Sequence, residues 1–205
     1  MSRSFLFFLP LLFLSGSCQQ EGETVPDLPN IIFLLTDDQR DNTLGMMGHP
    51  WVHTPGLDRL MSEGIRFSNT YIAEPTCSPS RVAIFTGMHE RVTGVGFTSS
   101  YELTEAQWEK SYPALLRRAG YHTGFIGKFG VEYYSFRGRA SEKFDFWRGH
   151  DGWTKFFPKD FDGNSCRPYH DADGVIITPI MGESIQMFLD SLPANKPFCL
   201  SLIHI

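Results

Sequence analysis

One short stretch of the chain combines a nucleophile, a helix start and a fixed cation. It runs Cys77-Ser78-Pro79-Ser80-Arg81 and, after a short apolar run, ends in Thr86-Gly87. Ser78 can cap a helix, and Pro79 suits the first helical position because proline has no N–H group to lose. We therefore expect Cys77 just before a helix over residues 80–85, where free N–H groups and the helix dipole favour an anion. Arg81, one turn in, adds a bidentate donor suited to a tetrahedral oxyanion.

Two other interpretations of Cys77 are a buried structural thiol and the nucleophile of a cysteine protease. A cysteine in a turn, taken alone, is more often structural, but the full pattern is far more specific than a lone cysteine. A protease would need a histidine partner and an orienting Asn or Asp. Histidines are available at positions 49, 53, 89 and 122, but no protease-type signature surrounds Cys77.

A pair of carboxylates follows the first predicted strand. Residues 30–35 form a continuous apolar run, which predicts a strand buried on both faces of a parallel sheet. Asp37 and Asp38 come directly after it. Because ligands of open α/β sheets bind at the carboxyl ends of the strands, this position suits a hard cation held by oxygen ligands. The alternative is a solvated loop whose acids cap a helix.

The order of the predicted elements indicates an α/β fold with a mainly parallel central sheet flanked by helices. Residues 54–64, 111–120 and 182–192 read as helices, with Leu57, Leu60 and Met61 of the first facing inward. Residues 65–72 and 121–128 read as strands, and 88–107 as loop. Lys128 is the last residue of its predicted strand, at the same edge of the sheet as the two aspartates.

Taken together, these motifs resemble the type I sulfatases. C-x-P-S-R-x-x-x-x-T-G is similar to the family signature, and the run from Pro29 to Gln39 resembles the N-terminal strand of the family. The segment G-Y-x-T-x-x-x-G-K, ending at Lys128, resembles the one whose lysine touches the substrate sulfate. The resemblance implies an alkaline phosphatase-like fold, incomplete at the C-terminus. It covers roughly the N-terminal half of the usual catalytic domain.

The family's chemistry supplies an expected role for each of these residues. The resemblance implies that a maturase oxidises Cys77 to Cα-formylglycine, and that Asp37, Asp38 and the modified Cys77 bind a divalent cation, usually calcium. Arg81 and Lys128 would stabilise the nucleophile and the sulfuryl group. The implied function is a sulfuric ester hydrolase, acting on sulfated carbohydrate. The alternatives are a phosphoester or phosphonate monoester hydrolase of the same superfamily and a non-catalytic protein that binds sulfated glycans.

One position departs from the family pattern. The common form is G-K-W-H, whereas this chain has Gly127-Lys128-Phe129-Gly130. The histidine that usually contacts the formylglycine hydrate is therefore replaced by Gly130. Its role is lost, taken over by another residue or not needed in this chain.

The N-terminus predicts export from the cytoplasm. Residues 1–17 have a basic start, a short apolar run and small residues, as in a signal peptide, and Cys18 resembles a lipoprotein acceptor site with Ser15 at an atypical position. We expect a periplasmic or surface protein, lipid-anchored at Cys18 or simply secreted, with a tether over 18–29. The net charge of -5 and the lack of a basic run disfavour nucleic-acid binding. Cys166 and Cys199 could pair in that compartment, but their spacing does not require it.

The last six residues have an unusual sequence. Leu200 to Ile205 read as the translation, in one frame, of a transposon end sequence used in preparing sequencing libraries. We therefore expect the natural catalytic domain to be represented by residues 30–199, and residues 200–205 to be an adaptor artefact. Under that expectation His204 is not an active-site histidine.

Overall fold

A computed structural model of the chain describes residues 28–40, 42–97, 102–131, 140–150 and 177–204. The predicted signal peptide, Cys18, nearly all of the tether and Cys166 lie outside the described residues. The described strands are β1 (Ile31–Thr36), β2 (His122–Lys128), β3 (Phe146–His150) and β4 (Phe198–His204). The described α-helices are α1 (Pro55–Glu63), α2 (Cys77–Thr86), α3 (Glu90–Thr93), α4 (Glu105–Trp108), α5 (Tyr112–Arg118) and α6 (Ile177–Asp190).

The four strands form one sheet in the order β1-β4-β2-β3. Each neighbouring pair is parallel, and β4 lies between β1 and β2. Parallel neighbours need a crossover connection. Helices α1 to α5 lie between β1 and β2 in the chain, and α6 lies between β3 and β4. The predicted α/β fold with a mainly parallel sheet is thereby confirmed.

Helices pack on both faces of this sheet. Phe125 and Ile126 are neighbours in β2 but belong to different hydrophobic clusters, because successive strand side chains point to opposite faces. Phe125 lies in the larger cluster with Phe85 of α2 and Trp108 of α4, and Ile126 lies with Phe188 of α6. The central strand β2 is therefore held from both sides. This fixes the position of Lys128 at its end.

Helix α2 begins earlier than the sequence predicted. Cys77 is its first residue, and the N-cap is Thr76, which makes no side-chain capping bond. The Thr76 carbonyl instead accepts a hydrogen bond from the Ser80 N–H at 3.0 Å. The helix extends one residue past the expected end, to Thr86, and Gly87 caps it with a φ of 68°, which suits a residue without a side chain. Cys77 thus belongs to the first turn rather than preceding it.

Three expectations for the N-terminal part were wrong. Residues 65–72 form no strand, and Ile65 is 86% exposed, because no described strand offers them a hydrogen-bonding ladder. Helix α1 forms as expected, but it buries none of its residues: Leu60 is 62% exposed, and Leu57 and Met61 are only half-buried. Strand β1 is not buried on both faces: Ile32 is 62% exposed, since β1 lies at an edge of the described sheet and no described element covers that side chain.

Two further segments bear on the sequence predictions. The segment 88–107 is not all loop, since it contains the short helix α3 and most of α4. Residues 200–204 continue β4, where Leu200 and Ile203 are fully buried. The origin of residues 200–205 stays a prediction, which rereading the gene across the codon of Leu200 checks.

The neighbouring Cys199 is a free thiol at 1% exposure, and burial raises its pKa to about 11. In the described ranges, no helix is both long enough and apolar enough to cross a membrane.

Candidate active site

The carboxyl ends of the parallel strands bring chemically active residues to one edge of the sheet. Lys128 is the last residue of β2, and Asp37 directly follows β1. The strand register sets Lys128 beside His150 and Thr36 beside His204. The edge at which these strands end is therefore the place where the predicted site residues meet.

Asp37 bridges two cations at this edge. Its Oδ2 accepts a hydrogen bond from Lys128 Nζ at 3.0 Å, and its Oδ1 lies 3.3 Å from Nη2 of Arg81. The Arg81 side chain is only 2% exposed, while those of Lys128 and Asp37 are 11% and 19% exposed. Two cations around one carboxylate leave one positive charge in excess. Such a group favours a further anion.

The backbone holds the Arg81 guanidinium from a second side. Its Nη1 donates to the carbonyl of Lys128 and, at 3.4 Å, to the carbonyl of Phe129. Phe129 is itself fixed, since it is fully buried and its N–H donates to the His150 carbonyl at 2.8 Å. Arg81 therefore ties α2 to the end of β2. Its position is determined by main-chain atoms as well as by Asp37.

The charged side chains in this group shift each other's pKa values. Burial would raise the pKa of Asp37, but the hydrogen bond from Lys128 and the charge of Arg81 outweigh it, so this pKa lies below its ordinary value. Burial lowers the pKa of Arg81, opposed by the charge of Asp37. An arginine titrates so far above neutral pH that its guanidinium stays protonated. Asp37 is thus ionised and Arg81 is charged under physiological conditions.

Cys77 lies at the start of α2, close to this charged group. The thiol is half-buried, its Sγ lies 3.8 Å from Ser78 Oγ, and it is near enough that a negative charge on it would raise the pKa of Arg81. The free N–H groups of the first helical turn add a positive field at the same place. A nucleophile derived from Cys77 would therefore act next to a group of charges that favours an anion.

Asp38 is less closely involved in this group. It is exposed and adopts a left-handed backbone conformation, with φ of 54°, immediately after Asp37. The structure thus brings Asp37, Arg81 and Lys128 into direct contact and sets Asp38 beside them at the surface. Carboxylate oxygens are the ligands that calcium prefers. Within the described ranges, however, no three His, Cys, Asp or Glu side chains gather as a metal site.

One acidic residue near Cys77 was not predicted from the sequence. Glu74 Oε1 accepts a hydrogen bond from the Glu90 N–H at 3.0 Å and lies 3.2 Å from Nδ1 of His89. This contact ties the segment before Cys77 to the start of α3. A glutamate three residues ahead of the signature gives no sequence signal for this role, because its partner is a main-chain group.

Comparison with known proteins identifies the family. The sulfatase family model matches residues 29–204. The chain belongs to the sulfatase family. The chain is 33% identical, over 201 residues, to an N-acetylglucosamine-6-O-sulfatase of Bacteroides thetaiotaomicron, and the match covers 94% of this chain and 33% of that protein.

Two further matches agree with this assignment. The human N-acetylgalactosamine-6-sulfatase is 35% identical over 153 residues, covering 70% of this chain and 28% of that protein. A solved structure of a protein with its substrate D-glucosamine-2-N,6-O-disulfate superposes with a TM-score of 0.63 at 26% identity. That superposition covers 86% of this chain and 34% of the solved chain. The chain thus spans about a third of the length of the curated relatives it matches.

Proposed function

We propose that the full-length protein hydrolyses sulfate esters at the edge of the sheet where Asp37, Arg81 and Lys128 meet. The observation that carries this proposal is the buried, positively charged group beside the first turn of α2, in a chain of the sulfatase family. A sulfate ester is an anion whose charge the excess cation would balance. The first turn of α2 would face the same anion with its unpaired N–H groups.

Each residue of the group has a proposed task. Cys77 is the site of the nucleophile: once a maturase has oxidised it to formylglycine, one hydroxyl of the hydrated aldehyde would attack sulfur as the S–O bond to the alcohol breaks. The second hydroxyl would then lose its proton, the C–O bond to sulfate would break to give the aldehyde, and water would restore the hydrate. Arg81, held by two carbonyls and Asp37, orients this group by donating hydrogen bonds in a fixed direction. Lys128 balances the charge that develops on the sulfuryl oxygens. Asp37 keeps both cations in place.

The carboxylates at this edge of the sheet are the candidate ligands of the proposed cation. Asp37 and Asp38 supply hard oxygen atoms at the surface of the strand end, which is the ligand type that calcium takes. Both oxygens of Asp37 already contact cationic side chains. We propose a calcium ion shared by both aspartates and the modified Cys77. Its remaining ligands would have to come from outside the described residues. Loss of turnover with a chelator and recovery with calcium would support it.

Sulfated carbohydrate is the substrate class we propose. It is supported by a relative named as an N-acetylglucosamine-6-O-sulfatase and by a similar structure that holds a glucosamine disulfate. Maturation of Cys77 by a formylglycine-generating enzyme, export by residues 1–17 and a lipid anchor at Cys18 complete the proposal. Labelling of the expressed protein with a radioactive fatty acid, compared with Cys18→Ala, checks the anchor.

The test is turnover of sulfate esters by the full-length protein coexpressed with a maturase. An aryl sulfate and a sulfated hexosamine serve as substrates, and an aryl phosphate tests the phosphoester alternative. We expect Cys77→Ala to abolish turnover and Lys128→Met to lower kcat about 100- to 1,000-fold. Arg59→Met, on an exposed part of α1, is the matched control and should leave turnover unchanged.

The possible outcomes separate the candidate functions. A preference for the sulfates supports the proposal, whereas a higher rate on the phosphate would favour the phosphoester or phosphonate hydrolase. Binding of sulfated sugar without turnover of any ester, in protein whose Cys77 has matured, would favour the non-catalytic glycan-binding protein.

A further inference from the structure

Gly130 lies directly against the side chain of Arg81. A β-carbon at position 130 would lie 2.9 Å from Arg81 Cδ and 3.1 Å from its Nε. A β-carbon in a real protein essentially never approaches a heavy atom as closely as the first of these distances. Any side chain at position 130 would therefore overlap the space that Arg81 occupies.

Arg81 has little freedom to move out of the way. Its side chain is 2% exposed, and the carbonyls of Lys128 and Phe129 and the carboxylate of Asp37 hold its guanidinium. An exposed arginine could rotate to another rotamer at small cost. A buried one that moved would leave its hydrogen bonds and its charge partner behind, which is far more costly. A group at position 130 therefore has to displace the guanidinium from its partners.

The backbone at Gly130 also favours glycine. Its φ is +60°, in the left-handed region that residues with a side chain rarely adopt. This bend follows immediately after the two carbonyl groups that accept from Arg81. Glycine thus serves two purposes here: it permits the turn, and it leaves room for the arginine.

We propose that Gly130 is a positioning residue, whose missing side chain allows Arg81 to lie between the end of β2 and Asp37. In this chain the aliphatic part of Arg81 fills the space that a side chain at position 130 would need. It follows that Gly130→His does not improve the site of this protein but displaces Arg81. The catalytic consequence rests on the proposed sulfatase function, whereas the contact itself does not.

The test compares two glycine-to-alanine variants of the full-length protein. Gly120 also has a positive φ, of +94°, but a β-carbon there meets no atom within 4 Å, and the residue lies at the other end of β2. Gly120→Ala therefore measures the backbone penalty without the contact. We expect Gly130→Ala to lower the melting temperature by about 2–4 °C more than Gly120→Ala does. We also expect Gly130→Ala to lower kcat/KM about 100-fold, as a misplacement of roughly 1 Å does. Gly120→Ala should leave turnover near the wild-type rate.

A double-mutant cycle shows whether Gly130 acts through Arg81. In an Arg81→Ala background the group that would clash is gone, so the additional loss of melting temperature in Gly130→Ala should disappear. Equal effects of the two alanine variants, or an additional loss that persists without Arg81, would overturn the proposal. A Gly130→His variant that hydrolyses sulfate ester faster than the wild-type protein would also overturn it. If no variant hydrolyses a sulfate ester, the proposed function fails, and the melting-temperature cycle still decides whether Gly130 positions Arg81.

Discussion

Replacing Asp37 by asparagine tests whether the charged group is a tightly coupled, buried unit. The change keeps the shape of the side chain but removes the charge that lies 3.0 Å from Lys128 Nζ and 3.3 Å from Arg81 Nη2. Two cations, one of them 2% exposed, then face each other without a carboxylate between them. Removing one partner of a buried ion pair typically costs about 3–5 kcal/mol, because the charge left behind stays desolvated. We expect Asp37→Asn to lower the free energy of unfolding by an amount in this range.

The assay is urea unfolding of the full-length protein in the presence of a chelator, so that no bound metal contributes. Glu63→Gln is the control, since its pair with Arg59 is exposed at 78% and 62% of the two side chains and should change stability by about 0.5 kcal/mol or less. The double variant Asp37→Asn with Lys128→Met should be more stable than Asp37→Asn alone, because it removes one of the two cations. A loss for Asp37→Asn as small as that of the control would refute the reasoning.

The effect of Asp37 should also depend on pH in a defined direction. Its pKa in the folded protein is lowered, because the hydrogen bond from Lys128 and the charge of Arg81 outweigh the desolvation that burial imposes. A carboxyl of this kind stabilises the fold above its unfolded pKa of about 3.9, and the contribution is lost as the pH falls through the lower folded value. The difference in the free energy of unfolding between the wild-type protein and Asp37→Asn should therefore be constant between about pH 5 and 8 and shrink below about pH 4. A difference that stays constant down to about pH 2 would contradict it.

The remaining predictions concern packing and capping. A β-carbon on Gly124 would lie 2.5 Å from the ring of Phe188, so Gly124→Ala should destabilise the protein by about 1–3 kcal/mol in thermal unfolding. A β-carbon on Gly182, inside α6, would meet no atom within 4 Å, so Gly182→Ala should instead stabilise the protein by up to about 1 kcal/mol. If both variants changed stability in the same direction, the packing described here would be contradicted. Thr104→Ala removes a capping box with Gln107 at α4 and should cost about 1 kcal/mol in the same assay, whereas no loss would show that this cap does not hold α4.

The sequence predicted the fold class and the edge of the sheet at which the site lies. Both follow from patterns carried by residue type: a continuous apolar run before Asp37, and a helix followed by a strand that ends at Lys128. Because parallel strands end at the same edge, the side chains that follow them were expected close together. The structure places Asp37 and Lys128 3.0 Å apart.

Other features could not be read from residue types. The acceptors that hold Arg81 are main-chain carbonyls, which every residue carries, so no sequence pattern marks them. The contact between Arg81 and Gly130 joins positions 49 apart on different elements and depends on a positive φ. The strand predicted over residues 65–72 is absent for a related reason, since residues of high β-propensity form a strand only where a partner strand is available.

The state of Cys77 is the most direct test of the proposed function. The measurement is the mass of the peptide that contains Cys77, taken from the protein coexpressed with a formylglycine-generating enzyme, with Cys77→Ala as the matched control. The account predicts an aldehyde or its hydrate in place of the thiol. An unmodified thiol under those conditions would leave the fold and the charged group standing and contradict the proposed nucleophile.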